Sequence, residues 1–226
     1  MRGLVLDPNF SNVKGLEYES EVFDYIDSLP LGSTFYDLGS CVGGFGIYAC
    51  SKELKVIAFE VDSANYEGLM INYKLNKDNF SENHYFKSFN IGIADKKRKV
   101  ILRIGQPEIG GHQKTLDLQE DDCADTIVIG NSLREVEVNS IDEVIEEYNL
   151  PYPNYLKIDI DGSEYAFVKG ASKVLSYCTS LIIEINVYHR LFPKILEILE
   201  HHGLKETFRS NKDLGVPGLF NIIYSK

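Results

Sequence analysis

The most constraining part of this chain is Phe35-Tyr-Asp-Leu-Gly-Ser-Cys-Val-Gly-Gly-Phe-Gly46, followed after one helical stretch by Lys55-Val-Ile-Ala-Phe-Glu60. An apolar strand runs into a glycine-rich turn, then a short helix, then a second apolar strand that ends on a carboxylate. Glycines at such a turn let backbone N–H groups approach a ligand that a Cβ would hold away. A carboxylate at the tip of the next strand, roughly 20 residues on, is where a doubly wound sheet grips ribose hydroxyls. The segment points to a ligand built on a nucleoside.

The remaining sequence keeps alternating strand and helix. Apolar spacing predicts helices over Glu17–Leu29, Phe45–Lys52, Ser63–Leu75, Ile141–Tyr148, Ser163–Leu175 and Leu191–His202. In the third of these, Tyr66, Leu69, Met70 and Tyr73 share one face. Ser140, with Glu143 three residues later, supplies a capping box. Strands are expected at Thr34–Leu38, Val56–Phe59, Tyr85–Ile93, Val100–Ile104, Glu135–Val138, Tyr155–Ile160 and Leu181–Val187. Lys205–Arg209 and Leu219–Tyr224 read as a closing antiparallel pair. The basic run Lys96-Lys-Arg-Lys99 reads as a solvated hairpin turn. From Gly105 to Ser132 periodicity fails, which predicts an irregular loop or lid. This pattern implies an α/β fold with a mostly parallel sheet covered on both faces. One domain spans residues 1–226, with a helical N-terminal segment over about 1–32.

A length of 226 residues suits one such domain. No apolar run approaches the ~20 residues of a membrane span, and the first thirty residues lack the pattern of an export signal. Cys41, Cys50, Cys123 and Cys178 are scattered without a C-x-x-C pair, so reduced thiols in the cytoplasm are expected, with neither disulfide nor zinc framework. A net charge of −11 with no extended basic patch argues against a nucleic-acid partner.

The turn is neither G-x-G-x-x-G nor a P-loop, and Asp37 precedes Gly39 by two residues. A carboxylate there is awkward beside a pyrophosphate but suits a cationic ligand. S-adenosylmethionine has both an ammonium and a sulfonium. Asp37 either holds that ammonium, through water or a turn amide, or braces the turn by accepting backbone N–H bonds. Glu60 has two oxygens for vicinal ribose hydroxyls.

A second acidic strand end follows in Leu156-Lys-Ile-Asp-Ile-Asp-Gly-Ser-Glu164, and Glu184 and Asn186 repeat the spacing on the next strand. Asp159, Asp161, Glu164, Glu184 and Asn186 converge at one rim. They could position a hydroxyl and take its proton, or hold a divalent cation. The structural alternative is that Asp161 and Glu164 cap a helix and Glu184 pairs with a lysine. His112, beside Gly110-Gly111, is either a base on a closing lid or a solvated loop histidine.

With these blocks in order, the chain resembles the FkbM-type S-adenosylmethionine-dependent methyltransferases. The resemblance rests on Tyr36–Gly43, Ala58–Asp62 with Asn72-Tyr-Lys-Leu-Asn76, and Leu156–Glu164 with Val168-Lys-Gly-Ala171, supported by Val138-Asn-Ser-Ile-Asp142 and Ile182-Ile-Glu184. It implies a Rossmann-like class I methyltransferase with a seven-stranded sheet. On the cofactor side it implies Gly39, Ser40, Cys41, Gly43 and Glu60, with Asp37 and Val61 beside them. On the acceptor side stand Asp159, Asp161, Glu184 and His112, with no metal. The sequence departs from the family at Cys41, in place of the usual Asn, at Asp62, in place of Pro, and at Asp161, in place of Glu. O-methylation of a small hydroxylated acceptor, such as a sugar or glycosylated metabolite, is the expected reaction. The rivals are a catechol-type enzyme using Asp159, Asp161 and Asn186 as metal ligands, and a module that binds the cofactor without turnover. Nothing in the sequence sets the oligomeric state.

Overall fold

In chain order the first half comprises α1 (Ser20–Asp27), β1 (Thr34–Leu38), α2 (Gly44–Ser51), β2 (Lys55–Phe59), α3 (Ser63–Asn76), β3 (Phe86–Phe89), β4 (Gly92–Ala94), β5 (Arg98–Ile104) and β6 (Lys114–Leu116). The second half comprises β7 (Ser132–Ser140), α4 (Ile141–Tyr148), β8 (Tyr155–Ile158), α5 (Glu164–Lys169), α6 (Ser172–Tyr177), β9 (Ser180–Asn186), α7 (Phe192–His201), β10 (Lys205–Arg209) and β11 (Leu219–Ser225). These come from a computed structural model that describes residues 3–10, 19–118, 132–211 and 214–226.

Seven strands form one sheet in the order β10-β11-β9-β8-β1-β2-β3. Pairs are parallel except the two made by β11. The chain winds outwards from β1 to β3, then returns to place β8 on the other side of β1. The winding therefore reverses between β1 and β8, and a ligand crevice opens beyond the carboxyl ends of such strands. Strand β1 is buried at every position. In its register with β8, Asp37 lies opposite Lys157.

Two apolar layers hold the sheet. Val22 and Phe23 of α1 pack with Phe45 and Tyr48 of α2 on one face. Val144, Phe167, Val174 and Leu199, from α4 to α7, cover the other. Helix α3 buries Asn65, Gly68, Leu69, Asn72 and Asn76; of the expected face Leu69 is fully buried, while Tyr66, Met70 and Tyr73 are partly exposed and contact Ser88 and Phe86 of β3. Its asparagines act as braces: Asn72 donates to Val42 O at 2.8 Å and accepts from Asp7 N–H, and Asn76 bonds both N–H and C=O of Val5.

Several expectations are corrected. Tyr85–Ile93 is not one strand, because Asn90 turns its side chain to the carbonyls of Glu60 and Val61 at 2.8 and 3.0 Å and ends β3. β4 then joins a second, four-stranded sheet in the order β4-β7-β5-β6. β4 and β5 do not form a hairpin, since β7 lies between them, parallel to one and antiparallel to the other. The basic turn is ion-paired, with Lys97 on Glu147, Arg98 on Asp95 and Lys99 on Glu135. The expected loop 105–132 contains β6 and part of β7, while 119–131 lie outside the described residues. The first described residues, 3–10, contain no helix. The predicted helix from Ser163 divides at Gly170 into α5 and α6. Ser140 does cap α4 through the Glu143 N–H, but its own N–H goes to Asn139 Oδ1 rather than to Glu143.

Gly170 is where the two sheets depend on a missing side chain. A Cβ there would lie 2.5 Å from the Ala94 carbonyl oxygen and 3.0 Å from Asp95 Cα, both backbone. Gly170→Ala is expected to cost about 1–3 kcal/mol, as overpacking typically does, read as a lower urea midpoint at unchanged slope. A variant as stable as wild type would show that α5 does not dock on β4 this tightly.

Candidate functional site

At the β1–β8 reversal the glycine turn begins with Gly39, whose φ is +75°. A Cβ on it would stand 1.7 Å from the Asp159 carbonyl oxygen. Glycine is thus required so that the end of β8 can close against the turn. Four of the turn's amides are used internally. Gly39 and Ser40 N–H both donate to Phe59 O, Gly43 N–H donates to Ser40 O, and Cys41 N–H donates to Glu60 Oε2 at 2.8 Å. Those four amides are not free for a ligand, whereas Val42 and Gly44 also line the cavity above the turn.

A cavity of about 910 Å³ opens above the turn. It is lined by Gly39, Ser40, Cys41, Glu60 and Val61 at one end, and by His112, Asp159, Asp161 and Glu184 further along. Of the expected site residues, Asp37 and Gly43 do not line it. Asp37 is fully buried behind the turn, 3.7 Å from the Lys157 ammonium. Burial raises its carboxyl above the ordinary range, against the pull of Lys157. Glu164, also outside the lining, accepts the Gly162 N–H at 3.0 Å.

Glu60 is buried at the end of β2, and its two oxygens accept from Cys41 N–H and Asp62 N–H, each at 2.8 Å. Desolvation still pushes its carboxyl up to about 7. Each oxygen keeps lone-pair capacity for another donor. Asp62, in the position the family usually gives to proline, does not cap α3 with its side chain. It pairs instead with Lys114 at 2.7 Å and Arg134 at 2.8 Å, fastening the second sheet to the start of that helix.

Lys157 was not singled out by sequence, yet it joins the two halves of the site. Its ammonium lies 3.0 Å from Asp159 Oδ2 and 3.1 Å from the Gly39 carbonyl, with the Phe45 ring centroid 5.4 Å away. Burial opposes its charge, but Asp159, Asp37 and Glu19 outweigh that and keep it protonated above the ordinary lysine range. A lysine inside a core strand, two positions before an aspartate, was the available signal.

Asp161 has a φ of +47°, so the strand has already ended and its side chain does not follow the alternation from Asp159. It accepts Lys114 N–H at 3.2 Å. Asp161 lines the cavity and is itself exposed. Desolvation there, with Asp159 alongside, raises its carboxyl to about 6. Glu184 is driven well above the ordinary range by burial, then by Asp159, Glu19 and Asp161. Glu19, just before α1, rises to about 7 by burial and by Asp159. His112 reaches the wall because Asn65 accepts the Gly110 N–H at 2.8 Å and donates to Gly111 O at 3.4 Å. Asn186 does not line the cavity: it accepts from Tyr188 N–H and donates to Pro217 O. The oxygen set Asp159, Asp161 and Asn186 is therefore not assembled.

Folding lifts Glu19, Glu60 and Glu164 from an ordinary 4.5 to about 7. Between those values the folded state binds protons that the unfolded chain has released, so this contribution to stability is full below the window and lost as pH rises through about 7. The ligand-free protein is expected to melt at a higher temperature at pH 6 than at pH 8, with a smaller difference in Glu60→Gln. Melting curves that coincide, or shift the opposite way, would contradict this electrostatic account.

Residues 37–205 match the model of the methyltransferase FkbM domain. No match was found among curated protein sequences. Among solved structures, precorrin-6y C5,15-methyltransferase from Geobacter metallireducens is similar, with a TM-score of 0.55 at 13% identity, covering 98% of this chain and 96% of that one. Streptococcus pneumoniae Sp1610, in complex with S-adenosyl-L-methionine, gives 0.52 at 11% identity over 92% and 72%. The ribosomal protein L11 methylase of Lactobacillus delbrueckii gives 0.50 at 12% identity over 98% and 83%. At these identities the likeness shows a shared fold, and the fold here is the Rossmann-like class I sheet. The family match spans about three quarters of the sequence, and the chain belongs to the FkbM family of S-adenosylmethionine-dependent methyltransferases.

Proposed function

We propose that the methyl group goes to a hydroxyl oxygen of a small acceptor, such as a sugar or glycosylated metabolite, with Asp161 as the base. The observation that carries this reading is the position of Asp161 on the cavity wall beside the ion-paired Asp159, where its carboxyl is raised to about 6. A base working near neutral pH is most effective when its own pKa lies close by.

S-adenosylmethionine, when bound, supplies a methyl carbon already activated by a cationic sulfur. The chain has to bind it, orient the acceptor and remove one proton. Glu60 has the free acceptor capacity for two ribose hydroxyls, and Val61, Ile91 and Leu116 offer apolar walls to a flat base. Gly39, Ser40 and Cys41 form the adjoining floor. Asp37, shielded behind the turn, braces it rather than touching the ammonium. Asp159, clamped by Lys157, lines the acceptor position and accepts a hydrogen bond from the hydroxyl. Asp161 takes the proton as the oxygen becomes nucleophilic. His112 contributes to the wall, placed there by Asn65. An acid-lined cavity repels a phosphate backbone, which supports a small acceptor rather than nucleic acid. Among the described residues no helix is long and apolar enough to cross a membrane.

Three outcomes are expected. Glu60→Ala raises the Kd for S-adenosylhomocysteine by about tenfold or more, the scale of losing hydrogen bonds to a charged group, measured by calorimetry. An unchanged Kd would remove the ribose assignment. With hydroxylated acceptors, release of S-adenosylhomocysteine rises with pH through about 6 and then levels, because Asp161 must be deprotonated to act. Asp161→Asn lowers kcat about 10²–10⁴-fold while leaving cofactor affinity intact. A variant of full activity, or a product methylated elsewhere than on oxygen, would refute the assignment.

A further inference from the structure

We propose that the acceptor is a hydroxylated small molecule carrying a protonated amine, seated between Glu184, Glu19 and Asp159. This deepens the reading above and rests on it for the location of the acceptor side.

Among the described residues, seven carboxylates and two ammonium groups line the cavity. Glu60 stands at the nucleoside end. The other six are Glu19, Glu21 and Asp24 at the start of α1, Asp159 and Asp161 after β8, and Glu184 on β9. Both ammonium groups are already committed, Lys114 to Asp62 and Lys157 to Asp159 and Asp37. Bound S-adenosylmethionine brings one net positive charge, which leaves the acceptor side negative.

Glu184 is the second and independent observation. It faces the cavity from a core strand, and no described residue gives it a hydrogen bond or an ion pair. Asn221, its cross-strand partner on β11, turns its amide to Glu21 at 3.1 Å instead. A half-buried carboxylate without a partner is costly to ionise, and Asp159, Asp161 and Glu19 repel it further. A ligand cation placed among these groups removes both penalties.

The arrangement suits an organic cation better than a metal ion. The carboxylates come from three separated elements, and no group of three or more His, Cys, Asp or Glu among the described residues has the geometry of a metal site. A cavity of this size has room for a ring system beside the cofactor. Phe208 and Leu219 supply an apolar flank at the same end.

The test measures binding and turnover separately. With S-adenosylhomocysteine present, calorimetry compares chitobiose whose amines are free with its N-acetylated form and with cellobiose. The free amine is expected to bind about tenfold tighter than either, the scale of a charge-assisted hydrogen bond, and to weaken in 0.5 M salt. Glu184→Gln and Glu19→Gln should each reduce that preference, and the second, at the edge of a helix, covers the risk that a core-strand variant misfolds. Equal binding of all three sugars, no binding of the amine, or a preference untouched by both variants would overturn the proposal. Amine-selective binding with no methyl on oxygen would instead sink the O-methylation reading and leave this one standing. Oxygen methylation of neutral sugars at equal KM would do the reverse.

Discussion

The arrangement of the site depends on one buried cation, Lys157. An ammonium group in a protein core is tolerated only where several acceptors replace its lost hydration. Here Asp159, the Gly39 carbonyl and Asp37 do so, over the face of Phe45. These partners belong to β1, the turn after it, and the end of β8. The same contacts that neutralise the lysine therefore set the distance between the cofactor turn and the acceptor-side carboxylate. Gly39 makes that distance possible, because any side chain there would collide with Asp159 O.

The surrounding charge follows a consistent logic. Carboxyl groups of this site are lifted towards neutrality, the buried Glu60 and the half-buried Glu19 to about 7 and the exposed Asp161 to about 6. Such groups are poised for a cationic cofactor, and one of them for proton removal at physiological pH. The second sheet serves the same end. Its Lys114 approaches Asp62 through the side chain and Asp161 through the backbone N–H, so it touches both halves of the cavity.

Much of the scaffold was legible. The boundaries of β1, α4 and β10 agree with the sequence reading; an apolar strand before the glycine turn and a capping serine mark the first two. The misreadings have physical causes. In α3 the buried face joins the expected Leu69 to Asn65, Gly68, Asn72 and Asn76, and a search for apolar spacing passes over polar groups whose burial is compensated by partners far along the chain. The strand split at Asn90 depends on two carbonyls of Glu60 and Val61, which no local pattern announces. At the site, Glu60, Asp159, Asp161 and Glu184 were recognisable as carboxylates at strand ends. Glu19 was not, since it reaches the cavity from the start of α1.

The sequence by itself determined the class of fold and the family, because strand tips that carry Gly or a carboxylate at fixed spacing leave a readable pattern in one dimension. Only the tertiary structure decided what those residues do. It spent four of the turn amides internally, placed Asp37 behind the turn and turned Asn186 away. It also brought Lys157, Glu19 and Lys114 to the same cavity. These outcomes rest on strand register, burial and charge compensation between residues up to more than a hundred positions apart, as with Lys157 and Gly39. Spacing along the chain does not encode such distances.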